Sequence, residues 1–125
     1  MTEIGKIGWI DLTVDDASGV TNFYRQVAGW KSTAVSQGDY DDYCVHPQSS
    51  DDPVAGICHK RGDNANLPSQ WLIYITVADL AASMAKCQAL GGEIVCPQRN
   101  MGGYGAMCVI KDPEGAFAAL IQPAS

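Results

Sequence analysis

Residues 10–16 read Ile-Asp-Leu-Thr-Val-Asp-Asp and residues 73–79 read Ile-Tyr-Ile-Thr-Val-Ala-Asp. The offset is 63, close to half of a 125-residue chain. Ile10/Ile73, Thr13/Thr76, Val14/Val77 and Asp16/Asp79 are identical, Gly29 falls on Gly92, and Val54-Ala55-Gly56-Ile57 falls on Phe117-Ala118-Ala119-Leu120. A duplicated half restricts the chain to architectures built from one unit used twice.

Each half reads in the same order. Residues 7–14 are apolar and β-branched and suit a strand. Asp16 follows, and its carboxylate can accept a backbone N–H of a helix first turn. That helix runs from about Ala17 to Val27, with Val20, Phe23, Tyr24 and Val27 as its apolar stripe and Gly29 as its terminator. In the second half Asp79 is the cap, Leu80, Met84, Cys87 and Leu90 are the stripe, and Gly91-Gly92 ends the helix. Three strand-like runs follow each helix, at about 30–36, 40–46 and 53–58, then 93–96, 104–110 and 116–122. The pattern is βαβββ twice, an α+β chain. Length predicts one domain over 1–125, with module one at about 1–60, a polar linker at about 59–69 and module two at about 70–125.

Hydrophobic residues make up 46% and charged residues 18%, enough for an ordinary core. The net charge is −6 and the Lys and Arg residues are scattered, which argues against nucleic acid. No apolar run is long enough for a membrane span, and the N-terminus has no signal-peptide pattern. Five cysteines without a C-x-x-C pair suggest neither a disulfide framework nor a zinc ribbon, so free thiols in a cytoplasmic setting are expected.

Three stretches carry a resemblance. They are Val14-Asp15-Asp16 with Phe23-Tyr24 and Gly29-Trp30, Tyr74-Ile75-Thr76-Val77-Ala78-Asp79 with Leu90-Gly91-Gly92, and the closing turn Asp112-Pro113-Glu114-Gly115. Together they resemble the glyoxalase/bleomycin-resistance/extradiol-dioxygenase superfamily, the vicinal oxygen chelate proteins, over essentially the whole chain. The resemblance implies two βαβββ modules forming a curved mixed sheet around a shared cleft. It also implies a divalent metal held by His or Glu from the first and last strands of each module. Those positions here are Trp9, Gly56, Leu72 and Ala119, and none of the four can ligate a metal through its side chain. The expectation is therefore a protein with no metal and no other cofactor.

Strand alternation gives the set expected to line the cleft: Trp9, Asp11 and Thr13; Val54, Gly56 and Cys58; Leu72, Tyr74 and Thr76; Phe117, Ala119 and Ile121. The lining is mainly apolar and aromatic, which suits a small organic ligand fixed by few hydrogen bonds. Asp11 is either a structural carboxylate bonded to Tyr74, Thr13 or a backbone N–H, or a ligand anchor or general base. Trp9 is core or a stacking platform, and Tyr74 serves a ligand or Asp11. A Cys44/His46/Cys58/His59 metal site is disfavoured, because Cys58 and His59 point to opposite faces of one strand. The loop Met101-Gly102-Gly103-Tyr104-Gly105 does not lead from a strand into a helix, so it is no P-loop; a lid or hairpin lead-in is expected. Asp39, Asp41, Asp42, Asp51 and Asp52 read as solvated loop charge.

The resemblance to the bleomycin-resistance branch implies a homodimer that binds a cationic or aromatic small molecule without metal. The competing expectation is a lyase or dioxygenase-type enzyme using Asp11 or an atypical metal site. A third is an interaction module whose cleft is filled by its own side chains.

Overall fold

A computed structural model describes residues 3–124. The elements run β1 Ile7–Val14, α1 Ala17–Ala28, β2 Lys31–Ser36, β3 Asp41–His46, β4 Ala55–His59, β5 Trp71–Thr76, α2 Leu80–Ala89, β6 Glu93–Asn100, β7 Ala106–Lys111 and β8 Phe117–Gln122. This is βαβββ twice. Two compact units emerge, one of residues 10–71 and one of residues 3–9 with 72–124.

The 63-residue repeat is also a repeat of strand register. In the first unit β1 pairs with β4 in parallel, with Asp11 opposite Gly56 and Thr13 opposite Cys58. In the second, β5 pairs with β8 in parallel, with Tyr74 opposite Ala119 and Thr76 opposite Ile121. Each of these residues lies 63 positions after its counterpart. The remaining strands pair antiparallel, in the order β2-β3-β4-β1 in the first half and β5-β8-β7-β6 in the second.

Both helices start and stop as their sequence predicts. Asp16 accepts from Gly19 N–H at 3.0 Å and Asp79 from Ala82 N–H at 3.1 Å, each satisfying a first-turn donor that has no partner within the helix. Bonding to Gly19 N–H, then to the Ser18 hydroxyl, holds the Asp16 carboxyl below its ordinary range. Gly29 takes φ 77° and returns its N–H to the Arg25 carbonyl, the left-handed stop that favours glycine.

The stripes differ from expectation. Phe23 and Val27 are 54% and 66% exposed, and the buried helix residues are Ala17 and Thr21. The face of α1 against the sheet is therefore 17, 20, 21 and 24, rotated from the expected one. It packs Ala17, Val20 and Tyr24 on Leu12, Val45, Ala55 and Ile57. In α2, Leu80 is buried and Met84 packs beside it, but Leu90, the C-cap residue past the last helical turn, is 75% exposed. Leu80, Cys108 and Leu120 form the core of the second unit.

Strand β6 is longer than expected and reaches Asn100 through Pro97. It lies at the end of the strand order, and its pairing with β7 shifts register between Ile94 and Cys96 and again between Cys96 and Arg99. Proline removes a donor, and an edge strand with irregular pairing tolerates that. Strand β7 starts at Ala106 rather than 104, because Gly102–Tyr104 form a 3-10 turn. The linker also holds a short 3-10 turn, Gly62–Asn64.

Candidate functional site

In the first unit the sheet has two distinct faces. Leu12, Val45 and Ile57 lie under α1. Alternation then places Asp11, Thr13, Gly56, Cys58, Cys44, Asp42, His46 and Thr33 on the other face. This face is polar, unlike the apolar-aromatic lining expected from sequence. Cys58 donates its thiol to Asp11 Oδ1 at 3.5 Å. Asp42 accepts from the His59 backbone N–H at 2.8 Å and is mostly buried, so it is not a solvated loop charge.

These contacts set the state of the thiols. Burial pushes the Cys58 thiol well above its ordinary range, and the carboxylates of Asp11 and Asp42 push it further. Cys44 is raised for the same reasons, burial first and Asp11 second. A thiol held protonated is a poor nucleophile and a poor metal ligand. Cys58 therefore acts here as a weak donor to a carboxylate.

Both histidines are held by neighbours of their own. His46 is buried, with Nδ1 at 3.2 Å from the Ser50 carbonyl and Nε2 at 2.9 Å from Thr33 Oγ1. A carbonyl only accepts, so Nδ1 carries the proton, and in the neutral ring Nε2 accepts from the Thr33 hydroxyl. His59 contacts the Asp41 carbonyl through Nδ1 at 2.8 Å and packs against the Tyr40 and Tyr43 rings. His59 Nδ1 also lies 3.6 Å from Asp42 Oδ1, so the Asp42 carboxylate reaches both Cys58 and His59.

In the second unit the face opposite α2 carries Leu72, Tyr74, Thr76, Met107, Val109 and Ala119. All six are 6% exposed or less. Phe117 is half-buried and stacks under Lys111, whose Nζ is 5.2 Å from the ring centre. Trp9 is half-buried. Of the twelve residues expected to line a ligand cleft, Asp11, Thr13, Gly56 and Cys58 share one face of the first unit, and Leu72, Tyr74, Thr76 and Ala119 are buried on the face of the second that is opposite α2.

Sequence reasoning missed Cys44, Asp42, Thr33 and His46 as members of the Asp11 face. The signal was present in β3: Cys44 stands opposite Gly56, and alternation carries Asp42 and His46 to the same side.

The Met101–Gly105 loop joins β6 to β7. Met101 N–H bonds the Gly105 carbonyl at 2.6 Å and Gly102 N–H bonds Asn100 Oδ1 at 2.8 Å. It is a hairpin turn closed by its own backbone and by the Asn100 side chain. The Asp112–Gly115 turn is also closed internally: Asp112 Oδ1 accepts from Glu114 and Ala116 N–H, and Gly115 takes φ 90°.

Residues 6–119 match the Glyoxalase/Bleomycin resistance protein/Dioxygenase superfamily. The chain belongs to that family. Among similar proteins, "Putative glyoxylase CFP32" of Mycobacterium tuberculosis is 27% identical over 124 residues, covering 99% of this chain and 46% of the relative. "Anthracycline biosynthesis protein DnrV" of Streptomyces peucetius is 28% identical over 127 residues, covering 93% of this chain and 46% of the relative. The chain spans about half the length of the curated relatives it matches. Among solved structures, methylmalonyl-CoA epimerase of Mycobacterium tuberculosis superposes with a TM-score of 0.55 at 16% identity, covering 100% of this chain and 94% of that one. A superfamily member from Vibrio splendidus gives 0.56 at 13% identity, covering 91% and 96%. These likenesses establish the fold.

The family's enzymes imply a divalent metal, and the side chains here do not fit one. Trp9, Gly56, Leu72 and Ala119 supply no donor atom. Among the described residues no group of three or more His, Cys, Asp or Glu is disposed to hold an ion. Also among the described residues, no helix is long and apolar enough to cross a membrane.

Proposed function

We propose that the chain binds a small organic molecule through side chains alone, without a divalent metal, on the Asp11 face of residues 10–71. The observation that carries this is the register of β1 and β4. The family's last-strand ligand position is Gly56, directly opposite Asp11. A side chain that would close a metal site is replaced by none, beside a half-buried carboxylate and two thiols held neutral. That leaves a hydrogen-bonding surface able to accept from a ligand's N–H or O–H. A cationic or aromatic compound suits Asp11 and the acidic balance of the chain. A homodimer in the cytoplasm belongs to the same proposal.

The test is a thermal-shift screen with cationic and aromatic compounds, repeated on Asp11→Asn. A compound that raises the melting point of the wild type and leaves Asp11→Asn unshifted supports the site. A compound that shifts both proteins equally places binding away from Asp11 and defeats this assignment.

A further inference from the structure

A cavity of about 510 Å³ opens beside the C-terminal half of α1. Its lining is Asn22, Arg25 and Gln26 from the helix, Trp30, Lys31 and Ser32 at the start of β2, and Gln48. The volume lies in the range of small-molecule sites, roughly 300–1,000 Å³. Every lining residue belongs to residues 10–71, and none of the twelve expected cleft residues is among them.

The chemistry of this lining runs against the rest of the protein. The chain carries a net charge of −6, yet two of its eight basic residues line the cavity and no acidic residue does. Asn22, Arg25 and Gln26 stand at helical spacing i, i+3 and i+4, so their side chains share one face. Among the described residues Arg25 forms no ion pair. Lys31 meets Asp51 at 3.1 Å, but that carboxylate is 94% exposed, and such a pair is weak enough for a ligand anion to displace. Guanidinium, ammonium, carboxamides and the Ser32 hydroxyl together form a donor-rich set.

The aromatic wall is fixed before any ligand arrives. The Trp30 ring lies 5.6 Å from Tyr24 and 5.9 Å from Trp71, centre to centre. Trp71 Nε1 donates to the Tyr24 hydroxyl at 3.3 Å, tying the three rings together. Gln48 Nε2 donates to the Gly29 carbonyl at 2.7 Å, which holds that side chain at the rim. A rigid ring beside a fork-shaped cation recognises a planar group that carries an anion at its edge.

We propose that this α1–β2 cavity is a second binding site, for a small aromatic anion such as an aryl phosphate or aryl carboxylate. Arg25 and Lys31 hold the anion and Trp30 packs against the ring. Asn22, Arg25 and Gln26 stand on α1, away from the Asp11 face, and Lys31, opposite His46 in the β2–β3 register, borders that face, so Arg25→Ala tests this site without touching Asp11.

The experiment is titration of the full chain with phenyl phosphate, followed by calorimetry and by tryptophan fluorescence. The expected result is one saturable site per chain with a fluorescence change. Arg25→Ala should weaken binding at least tenfold, and Lys31→Ala several-fold. Lys86→Ala, a cation on α2, should change nothing. Far-UV circular dichroism and melting point check that each variant is folded. Absence of saturable binding, or an affinity that Arg25→Ala leaves unchanged, overturns the proposal. Equal losses in Arg25→Ala and Lys86→Ala show diffuse charge attraction and also overturn it. Inorganic phosphate binding as tightly as phenyl phosphate removes Trp30 from the site.

Discussion

The glycines of the β6–β7 turn should separate into three energetic classes. Gly105 has φ 104° and ψ −145°, a backbone region essentially closed to residues with a Cβ. A Cβ there would overlap the Gln122 carbonyl oxygen and lie 2.7 Å from Ala124 N and 2.8 Å from Pro123 C. These are backbone atoms, so no side-chain rotation relieves the contact. Backbone strain costs about 1–3 kcal/mol, and displacing the end of β8 adds to it. Reduced freedom of the unfolded chain offsets only about 0.4–1 kcal/mol. Gly105→Ala should therefore lose about 3 kcal/mol or more. Gly102, at φ 62°, meets nothing within 4 Å, so Gly102→Ala should lose only the left-handed penalty, about 1 kcal/mol. Gly103 has neither a positive φ nor a close neighbour, and Gly103→Ala should be neutral or slightly stabilising. Urea unfolding at constant m gives the three values. For a chain of this size Gly105→Ala should also lower the melting point by on the order of 10 °C. A Gly105→Ala variant within about 1 kcal/mol of Gly103→Ala would show that the chain relieves the Gly105 contact at little cost.

Further outcomes follow from buried polar groups. The Thr21 hydroxyl is buried without a partner among the described residues, so Thr21→Val, nearly the same shape, should stabilise by about 1 kcal/mol in urea unfolding; a loss instead would mean the hydroxyl is bonded. Cys108 is fully buried, and burial pushes its thiol up to about 11. The unfolded thiol loses its proton near pH 8.5 while the folded one keeps it. This thiol's contribution should be complete below about pH 8.5, then fall by about 1.4 kcal/mol per pH unit until about 11. Urea unfolding between pH 7 and 10.5 should show a slope steeper in wild type than in Cys108→Ala by about that amount, the Cys58 and Cys44 thiols supplying the remainder in both proteins. Cys58 should resist iodoacetamide at pH 8, and Asp11→Asn should speed its alkylation several-fold, read by peptide mass spectrometry; an unchanged rate would disprove the coupling between carboxylate and thiol.

The repeat made much of this fold legible, because identities spaced by 63 residues specify shared strand register as well as shared elements. Both cap aspartates and the Gly29 stop were also legible, since each acts within a few residues of its own position. The helix faces were legible only in part: Val20, Tyr24, Leu80 and Met84 pack as expected, whereas Phe23, Val27 and Leu90 are exposed. In α1 two apolar stripes overlap, and the choice between Phe23/Val27 and Ala17/Thr21 depends on where the sheet lies. Pro97 hid the second half of β6, because local propensity does not reveal that a strand is at an edge. For the candidate site, Asp11, Thr13, Gly56 and Cys58 followed from alternation, which applied equally to β3 would have added Asp42, Cys44 and His46. The α1–β2 cavity had no sequence signal. Its residues come from three separated stretches that only the packing of Tyr24, Trp30 and Trp71 draws together.

The proposed function rests on binding without the family's metal. Metal content of untagged protein, measured with melting points in nickel, manganese, iron(II) and zinc, tests it most directly. Far less than one metal per chain and no metal-dependent shift are expected. One metal per chain, with stabilisation of about 2.7 kcal/mol at 100-fold excess over Kd, would contradict it.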